Sequence, residues 1–303
     1  MTQSPPPKSP KERSSKDRKR FYRQGQPNQG RTAPPHEGRG ARGRPQGLAS
    51  GTDTALLYGY HAVAAALANP HRTIQRLLVS EGAAQRLAEA IEARNLKPEI
   101  VEPRDLDRLL GADAVHQGMA LVADFLSEPG LESLCAPSAD GLTPLLLVLD
   151  QVTDPHNVGA ILRSASVFGV ACVIMTRVHS PPLSGVLAKA ASGALEHVPV
   201  VLVTNLARAM EELADLGVTR LGLDGDATGT LEAQKIAGPA ALVLGAEGKG
   251  LRRLTRENCD VLCRISTFGA LGSLNVSNAA AVALHAVRTA SRGSQGPGSV
   301  RLA

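Results

Sequence analysis

Residues 144–163 read Pro144-Leu145-Leu146-Leu147-Val148-Leu149-Asp150-Gln151-Val152-Thr153-Asp154-Pro155-His156-Asn157-Val158-Gly159-Ala160-Ile161-Leu162-Arg163. The apolar run Leu145 to Leu149 is what a parallel strand buried on both faces requires, since neither face meets water. It runs into a turn at Asp154-Pro155, and from Val158 a helix is expected. Strand, turn and helix in that order form the repeating unit of an α/β sheet. The unit recurs downstream. Apolar runs at 171–175, 198–203, 221–223, 240–244 and 261–265 alternate with helical segments near 158–167, 183–194 and 206–216, and a last helix is expected from about Ser273 to Ala290. The spacing predicts an α/β domain with a parallel sheet over 143–292.

Upstream the rhythm is shorter. Strands are expected at 54–60, 74–80 and 119–125, an extended piece at 98–101, and helices at 61–68, 83–93 and 106–110. That alternation predicts a small α/β domain over 53–126. Residues 127–142, with Pro129, Gly130, Pro137 and Gly141, are expected to be a linker, and 293–303 a C-terminal tail.

Charge is unevenly spread. Of a net +5, residues 1–52 hold twelve Lys or Arg against three Asp or Glu, a net of +9, which leaves −4 for the rest. Such a Pro-, Gly-, Gln- and Arg-rich segment cannot bury enough apolar surface to offset its ordering entropy, so a disordered basic tail is expected over 1–52. It suits an arm that displaces counterions from RNA phosphates; a solubilising leader is the plainer alternative. Gly38, Gly40 and Gly43 spell G-x-G-x-x-G within this tail, but no strand precedes them and no helix follows, so a dinucleotide loop is excluded.

At 303 residues and 43% hydrophobic content the chain can bury two cores. No stretch approaches the roughly 20 apolar residues of a membrane span, and the basic N-terminus has no apolar segment behind it, so a cytoplasmic protein without membrane attachment is expected. In that compartment the sequon Asn275-Val276-Ser277 is without meaning. Four scattered cysteines agree with a reducing environment. Cys259 and Cys263 form C-x-x-x-C without two further ligands nearby, so core thiols are expected and no metal.

Three stretches fall where strands end, which is where open α/β sheets place ligands. In the first, Asn157 is placed to cap a helix, and Gly159 inside that helix costs about 1 kcal/mol against Ala, which suggests that something approaches the backbone closely. Taken alone, Asn157 as a cap and Arg163 as a surface residue suffice. The second, Leu242-Val243-Leu244-Gly245-Ala246-Glu247-Gly248-Lys249-Gly250, is a strand entering a glycine-rich loop. It lacks the Walker spacing. Its main chain could line a pocket toward which Glu247 presents a carboxylate; a flexible turn is the alternative. The third, Ile265 to Ala281, joins the last strand to an alanine-rich helix, with Ser273 and Asn275 at its start as caps or ligand contacts.

In order, D-x-x-x-D-P-x-N-x-G-x-x-x-R, G-x-E-x-x-G and S-L-N-V-S closely resemble the three motifs of the SpoU branch of the SPOUT-class RNA methyltransferases, over about 144–290. Gly59-Tyr60-His61-Ala62-Val63 and His116-Gln117-Gly118 resemble the small RNA-binding domain that precedes the catalytic domain in bacterial large-subunit guanosine methyltransferases. The resemblance implies a SPOUT-type trefoil-knotted parallel sheet and methylation of a ribose 2′-hydroxyl, of guanosine, in 23S ribosomal RNA of the large subunit. S-adenosyl-L-methionine is the implied donor, and a homodimer whose site uses both subunits the implied assembly. Carried onto this chain, Gly245, Ile265 and Leu274 line the donor pocket, and Asn157, Arg163, Glu247, Ser273 and Asn275 form the polar catalytic set. The chain departs from the pattern at Ile265-Ser266-Thr267, where relatives usually have Ile-Pro-Met, and at Asn278. Two other readings stay open: a transfer-RNA ribose methyltransferase, and a non-catalytic RNA-binding ribosome-assembly factor.

Overall fold

The computed structural model describes residues 54–136 and 142–291; the basic tail 1–52 and the tail 293–303 lie outside the described residues. The small unit opens with β1 (Thr54–Tyr58) and α1 (Tyr60–Ala68). It continues through β2 (Ile74–Val79), α2 (Glu81–Arg86), α3 (Ala88–Ala93), β3 (Glu99–Ile100) and α4 (Pro103–Leu110), and closes with β4 (Met119–Asp124). Its sheet runs β1-β4-β2-β3, antiparallel except for the β2–β3 pair. The helix expected over 83–93 is two helices. The chain breaks at Leu87, whose φ of −106° and ψ of 8° leave helical geometry while its side chain is buried. Burial of one leucine here overrides the helical propensity of its neighbours.

Residues 127–142, expected as linker, carry α5 (Leu131–Cys135). Leu131 and Cys135 are four residues apart, hence on one face, and both bury in a cluster with Leu146, Val148 and Leu213. Gly130, which suggested a linker, stands at the N-cap of this helix.

The large unit follows as β5 (Leu145–Asp150), α6 (Pro155–Val167), β6 (Cys172–Thr176), α7 (Gly185–Ala191), β7 (Val200–Val203), α8 (Leu206–Asp215), β8 (Thr219–Leu223), β9 (Gly229–Thr230), β10 (Ala240–Gly245), α9 (Arg253–Glu257), β11 (Val261–Arg264) and α10 (Val276–Ser291). Its seven strands are all parallel, in the order β7-β6-β5-β10-β8-β11-β9. All six residues of β5 are buried, as the unbroken apolar run requires. The helix expected to end at 194 stops at Ala191, where Ser192 turns left-handed (φ 50°). The last helix begins at Val276, which leaves Ser273 in the preceding loop. β9 and α9 were not expected. Two and five residues long, they are too short to show a period.

At Gly159 the close approach is made by α7. A Cβ there would lie 2.5 Å from Ala190 Cβ and 2.8 Å from the Leu187 carbonyl oxygen. Two helices therefore touch at a missing side chain, which lets the backbones of α6 and α7 approach closely.

One apolar cluster runs from the small sheet (Leu57, Leu77, Leu121) through Val63 and Leu187 into the large one (Leu147, Leu242). A buried ion pair crosses the same boundary. Arg72 donates to Glu196 through Nη2 (2.6 Å) and Nε (3.1 Å), Asn69 Nδ2 donates to the same carboxylate (2.8 Å), and Arg72 Nη1 donates to the Asp124 carbonyl (2.7 Å).

All four cysteines are free thiols. Burial pushes Cys172 and Cys259 up to about 12 and Cys263 up to about 11, and raises Cys135 as well. Because the thiolate is the nucleophile, the native chain is expected to resist iodoacetamide at pH 8 while the unfolded chain takes up four equivalents. Mass spectrometry of the two samples checks this, and alkylation of Cys259 or Cys263 in the native chain contradicts it. Among the described residues no three His, Cys, Asp or Glu are grouped to hold a metal, and no helix is long and apolar enough to cross a membrane.

Candidate functional site

The site forms at the carboxyl ends of the central strands of the large sheet. β5 ends on Asp150, fully buried, whose carboxylate accepts from the backbone N–H of Arg252 (2.9 Å) and from its guanidinium Nε. That pair draws the end of the glycine-rich loop after β10 over the end of β5. The loop is drawn in tightly. A Cβ on Gly245 would sit 2.1 Å from Gly250 C and 2.3 Å from its oxygen, and Ala246 and Gly250 form a β-bridge. Glycine is required at 245 because backbone, which cannot move aside as a side chain can, occupies the space.

Asn275 organises the polar groups. Its Oδ1 accepts from the backbone N–H of Ser277 (2.9 Å) and from the Ser277 hydroxyl, which orients the amide and caps α10. Its Nδ2 then donates to Asn157 Oδ1 (3.0 Å) and Glu247 Oε1 (2.9 Å). Two acceptor sites and two N–H groups are thus all engaged. Asn275 therefore holds its neighbours in place and has no hydrogen bond left to offer a ligand. Asn157 keeps its NH2 and Glu247 its second oxygen, since neither makes another hydrogen bond among the described residues.

Asn157 is not the helix cap expected for it. Asp154 caps α6, its carboxylate accepting from the His156 N–H (3.0 Å). With Pro155 at the first helical position, Asn157 falls inside the first turn and its side chain is released to meet Asn275. Arg163 is on the same helix six residues later, about 9 Å further along the axis and about 120° round it. It is exposed and makes no hydrogen bond or ion pair among the described residues. Within one chain Asn157, Glu247 and Asn275 are brought together and Arg163 is not.

Two cavities flank this network. The first, about 490 Å³, is lined by the three residues expected to hold a donor, Gly245, Ile265 and Leu274, and by Asp224, Glu247 and Ser273. It spans the ends of β10, β8 and β11. The second, about 450 Å³, spans the ends of β6, β5 and β10 and is lined by Gln151, Asp154, Asn157, His179, Glu247 and Lys249 among others. Glu247 belongs to both walls. Sequence reasoning missed Arg252, Asp224 and the second cavity's His179 and Lys249. Asp224 and His179 lie beyond strand ends, which was a usable signal; nothing local marks Arg252.

At the departure from the motif, Ser266 donates to Glu232 through its N–H (3.3 Å) and hydroxyl (3.1 Å). Burial pushes the Glu232 carboxyl up, but hydrogen bonds, these among them, outweigh it and hold the group below the usual range. A proline at 266 would forfeit the N–H bond, so the loop beside the first cavity is fastened here by another means.

In the small unit the two sequence motifs meet. The Tyr60 N–H donates to Gln117 Oε1 (2.8 Å), Arg86 donates to the Gln117 carbonyl (2.7 Å), and its guanidinium lies 5.8 Å from the Tyr60 ring centre. The Gly118 N–H donates to His116 Nδ1 (3.0 Å), so the other ring nitrogen carries the proton and donates to Asp107 (3.0 Å).

Comparison with known proteins gives the family. A model of the SpoU rRNA Methylase family matches residues 144–285, and one for RNA 2′-O ribose methyltransferase substrate binding matches 56–129. The 23S rRNA (guanosine-2′-O-)-methyltransferase RlmB of Pseudomonas aeruginosa is 43% identical over 235 residues, 75% of this chain and 93% of its own. That of Vibrio cholerae is 44% identical over 237 residues, 76% of this chain and 94% of its own. Among solved structures, the SpoU methyltransferase AviRb from Streptomyces viridochromogenes in complex with AdoMet covers 80% of this chain and 92% of its own at TM-score 0.66 and 21% identity, a likeness of fold.

Proposed function

Since this chain belongs to the SpoU rRNA methylase family, we propose that it methylates the ribose 2′-hydroxyl of a guanosine in 23S ribosomal RNA, with S-adenosylmethionine as donor. Relatives above 40% identity over more than nine-tenths of their own length carry that activity in their name. The observation that carries the reading is the Asn157–Asn275–Glu247 network standing between two cavities.

The first cavity suits the donor. Its volume is within the range of small-molecule sites, Gly245 lets the glycine loop close against the end of β10 beside it, and Glu247 brings a carboxylate to its wall, whereas that of Asp224 is taken up by Arg256 and the Asp226 N–H. Gly245, Ile265 and Leu274 would hold it, and when bound it supplies an electrophilic methyl group on a sulfonium.

The chain's own residues have three tasks. A ribose hydroxyl is a poor nucleophile while protonated and must meet the methyl group in line, so positioning is the largest of them. Asn275 performs it indirectly, by fixing Asn157 and Glu247. The NH2 of Asn157 then donates to the ribose oxygen, and the second oxygen of Glu247 accepts the hydroxyl hydrogen. Arg163 always carries its proton and offers no acceptor, so its task is to stabilise negative charge developing on the oxygen or on a neighbouring phosphate. Because it stands outside the network in one subunit, a homodimer in which Arg163 of one chain serves the site of the other accommodates it. Ser273, exposed on the first cavity's rim, closes the donor side. The compartment consistent with this substrate is the cytoplasm.

Incubation with methyl-labelled donor and unmodified 23S rRNA, then with transfer RNA, tests the reading. One labelled 2′-O-methylguanosine in the large-subunit RNA and none in transfer RNA is expected. Label in transfer RNA alone favours the transfer-RNA enzyme, and absence of both transfer and donor binding the assembly factor.

A further inference from the structure

The second cavity has features the proposed reaction does not use. It opens where the chain order of the sheet reverses: β6 and β7 continue to one side of β5, while β10 and β8 lie on the other. Ligands of open α/β sheets bind in such crevices. Its wall is contributed by three successive strand ends, with Gln151 after β5, His179 after β6, and Glu247 and Lys249 after β10.

Two of these residues are held in a costly conformation. Gln151 (φ 59°) and His179 (φ 71°) are both left-handed without being glycine, at about 1 kcal/mol or more each. Gln151 directly follows β5, His179 stands three residues beyond the end of the neighbouring β6, and both line this cavity. Lys249 and His179 are exposed and make no ion pair or hydrogen bond among the described residues. Asp154 has one oxygen engaged with the His156 N–H, and Glu247 has one engaged with Asn275. The cavity thus offers two side chains without partners among the described residues, Lys249 and His179, beside a free carboxylate oxygen on each of Asp154 and Glu247, all four on exposed residues. An anion at the rim, attached to a group rich in hydroxyls, matches that arrangement.

Resting on the function proposed above, we infer that this cavity seats the target nucleotide, with Lys249 and His179 as the residues that hold its flanking phosphate. The partition at Glu247 then sets the ribose against the donor cavity, so that phosphate grip and methyl transfer use opposite sides of one loop. The roles differ. Lys249 contributes charge; His179 contributes a hydrogen bond whose direction is set by the left-handed backbone.

Lys249→Ala and His179→Ala in the full chain, with Lys249→Arg as the conservative variant, test this against unmodified 23S rRNA. Each alanine variant is expected to raise KM for RNA several-fold, with donor affinity by calorimetry unchanged. Lys249→Ala should also flatten the slope of log affinity against log salt by about 0.7 to 0.9, the contribution of one phosphate contact. Lys249→Arg should restore that slope, whereas His179→Ala should leave it unaltered. Unchanged RNA affinity and KM in both alanine variants would overturn the inference, as would weakened donor binding in either. If the parent protein transfers no methyl group to RNA, the functional reading fails, and the RNA affinities and salt slopes still decide this one.

Discussion

Glu196→Ala is expected to lower unfolding stability by about 3–5 kcal/mol, the usual cost of removing one partner of a buried ion pair. The side chains of Arg72 and Glu196 are 4% and 2% exposed. Without the carboxylate the guanidinium keeps its bond to the Asp124 carbonyl but has no anion, and water does not reach it. The Asn69 amide loses its acceptor too. Arg76→Ala is the control: its pair with Glu99 is 29% and 46% exposed, which places it in the class worth about 0–1 kcal/mol. Denaturant midpoints of the two variants check the contrast. A loss at Glu196 no larger than at Arg76 would mean that solvent enters the boundary between the small sheet and the large one. Because Arg72 lies between α1 and β2 while Glu196 precedes β7, the same variant should also loosen the hold of the small unit on the large one.

Gly245→Ala is expected to abolish donor binding and to reduce methyl transfer at least about a hundredfold, the scale seen when catalytic geometry is displaced by about 1 Å. The added methyl group would meet Gly250 C at 2.1 Å and Leu251 N at 2.4 Å, both backbone. Relief requires the 246–252 loop to lift, which moves Glu247 away from Asn275 and strains the Arg252–Asp150 pair. Gly238→Ala, which meets nothing within 4 Å, controls for loss of a glycine. Calorimetric titration with S-adenosylmethionine and a turnover assay check both. Binding retained by the Gly245 variant would place the donor elsewhere than the first cavity.

Much of the architecture was legible because its causes are local. Leu145 to Leu149 announces a doubly covered strand without reference to anything else in the chain, and Asp154-Pro155, read as a turn before a helix from Val158, is the helix start itself, three residues earlier. The errors arose where a distant contact overrode a local preference. Leu87 breaks a helix in order to bury, and 131–135 folds as a helix because the large core receives its apolar face. At the site, the position of Asn157 in the chain suggested a cap, yet Asp154 takes that task and frees Asn157 for Asn275. Gly159 was rightly read as a place of close approach, and the visitor is α7. Arg163 shares a motif with Asn157 but not its place, because six helical residues turn it to another face.

By itself, then, the sequence determined the α/β class, most strand and helix positions and, through three ordered motifs, the family; of the candidate polar set it named, the fold brings Asn157, Glu247 and Asn275 together. Hydropathy period, turn chemistry and residue type are properties of a few neighbouring residues and survive without the fold. Tertiary structure alone decided the strand order, the Arg72–Glu196 bond across 124 residues and the Asn157–Asn275 bond across 118. It also decided the division of the site into two cavities by one glycine loop. Partners so far apart meet only when the whole sheet has assembled, and no local preference records which of many polar groups will face each other then.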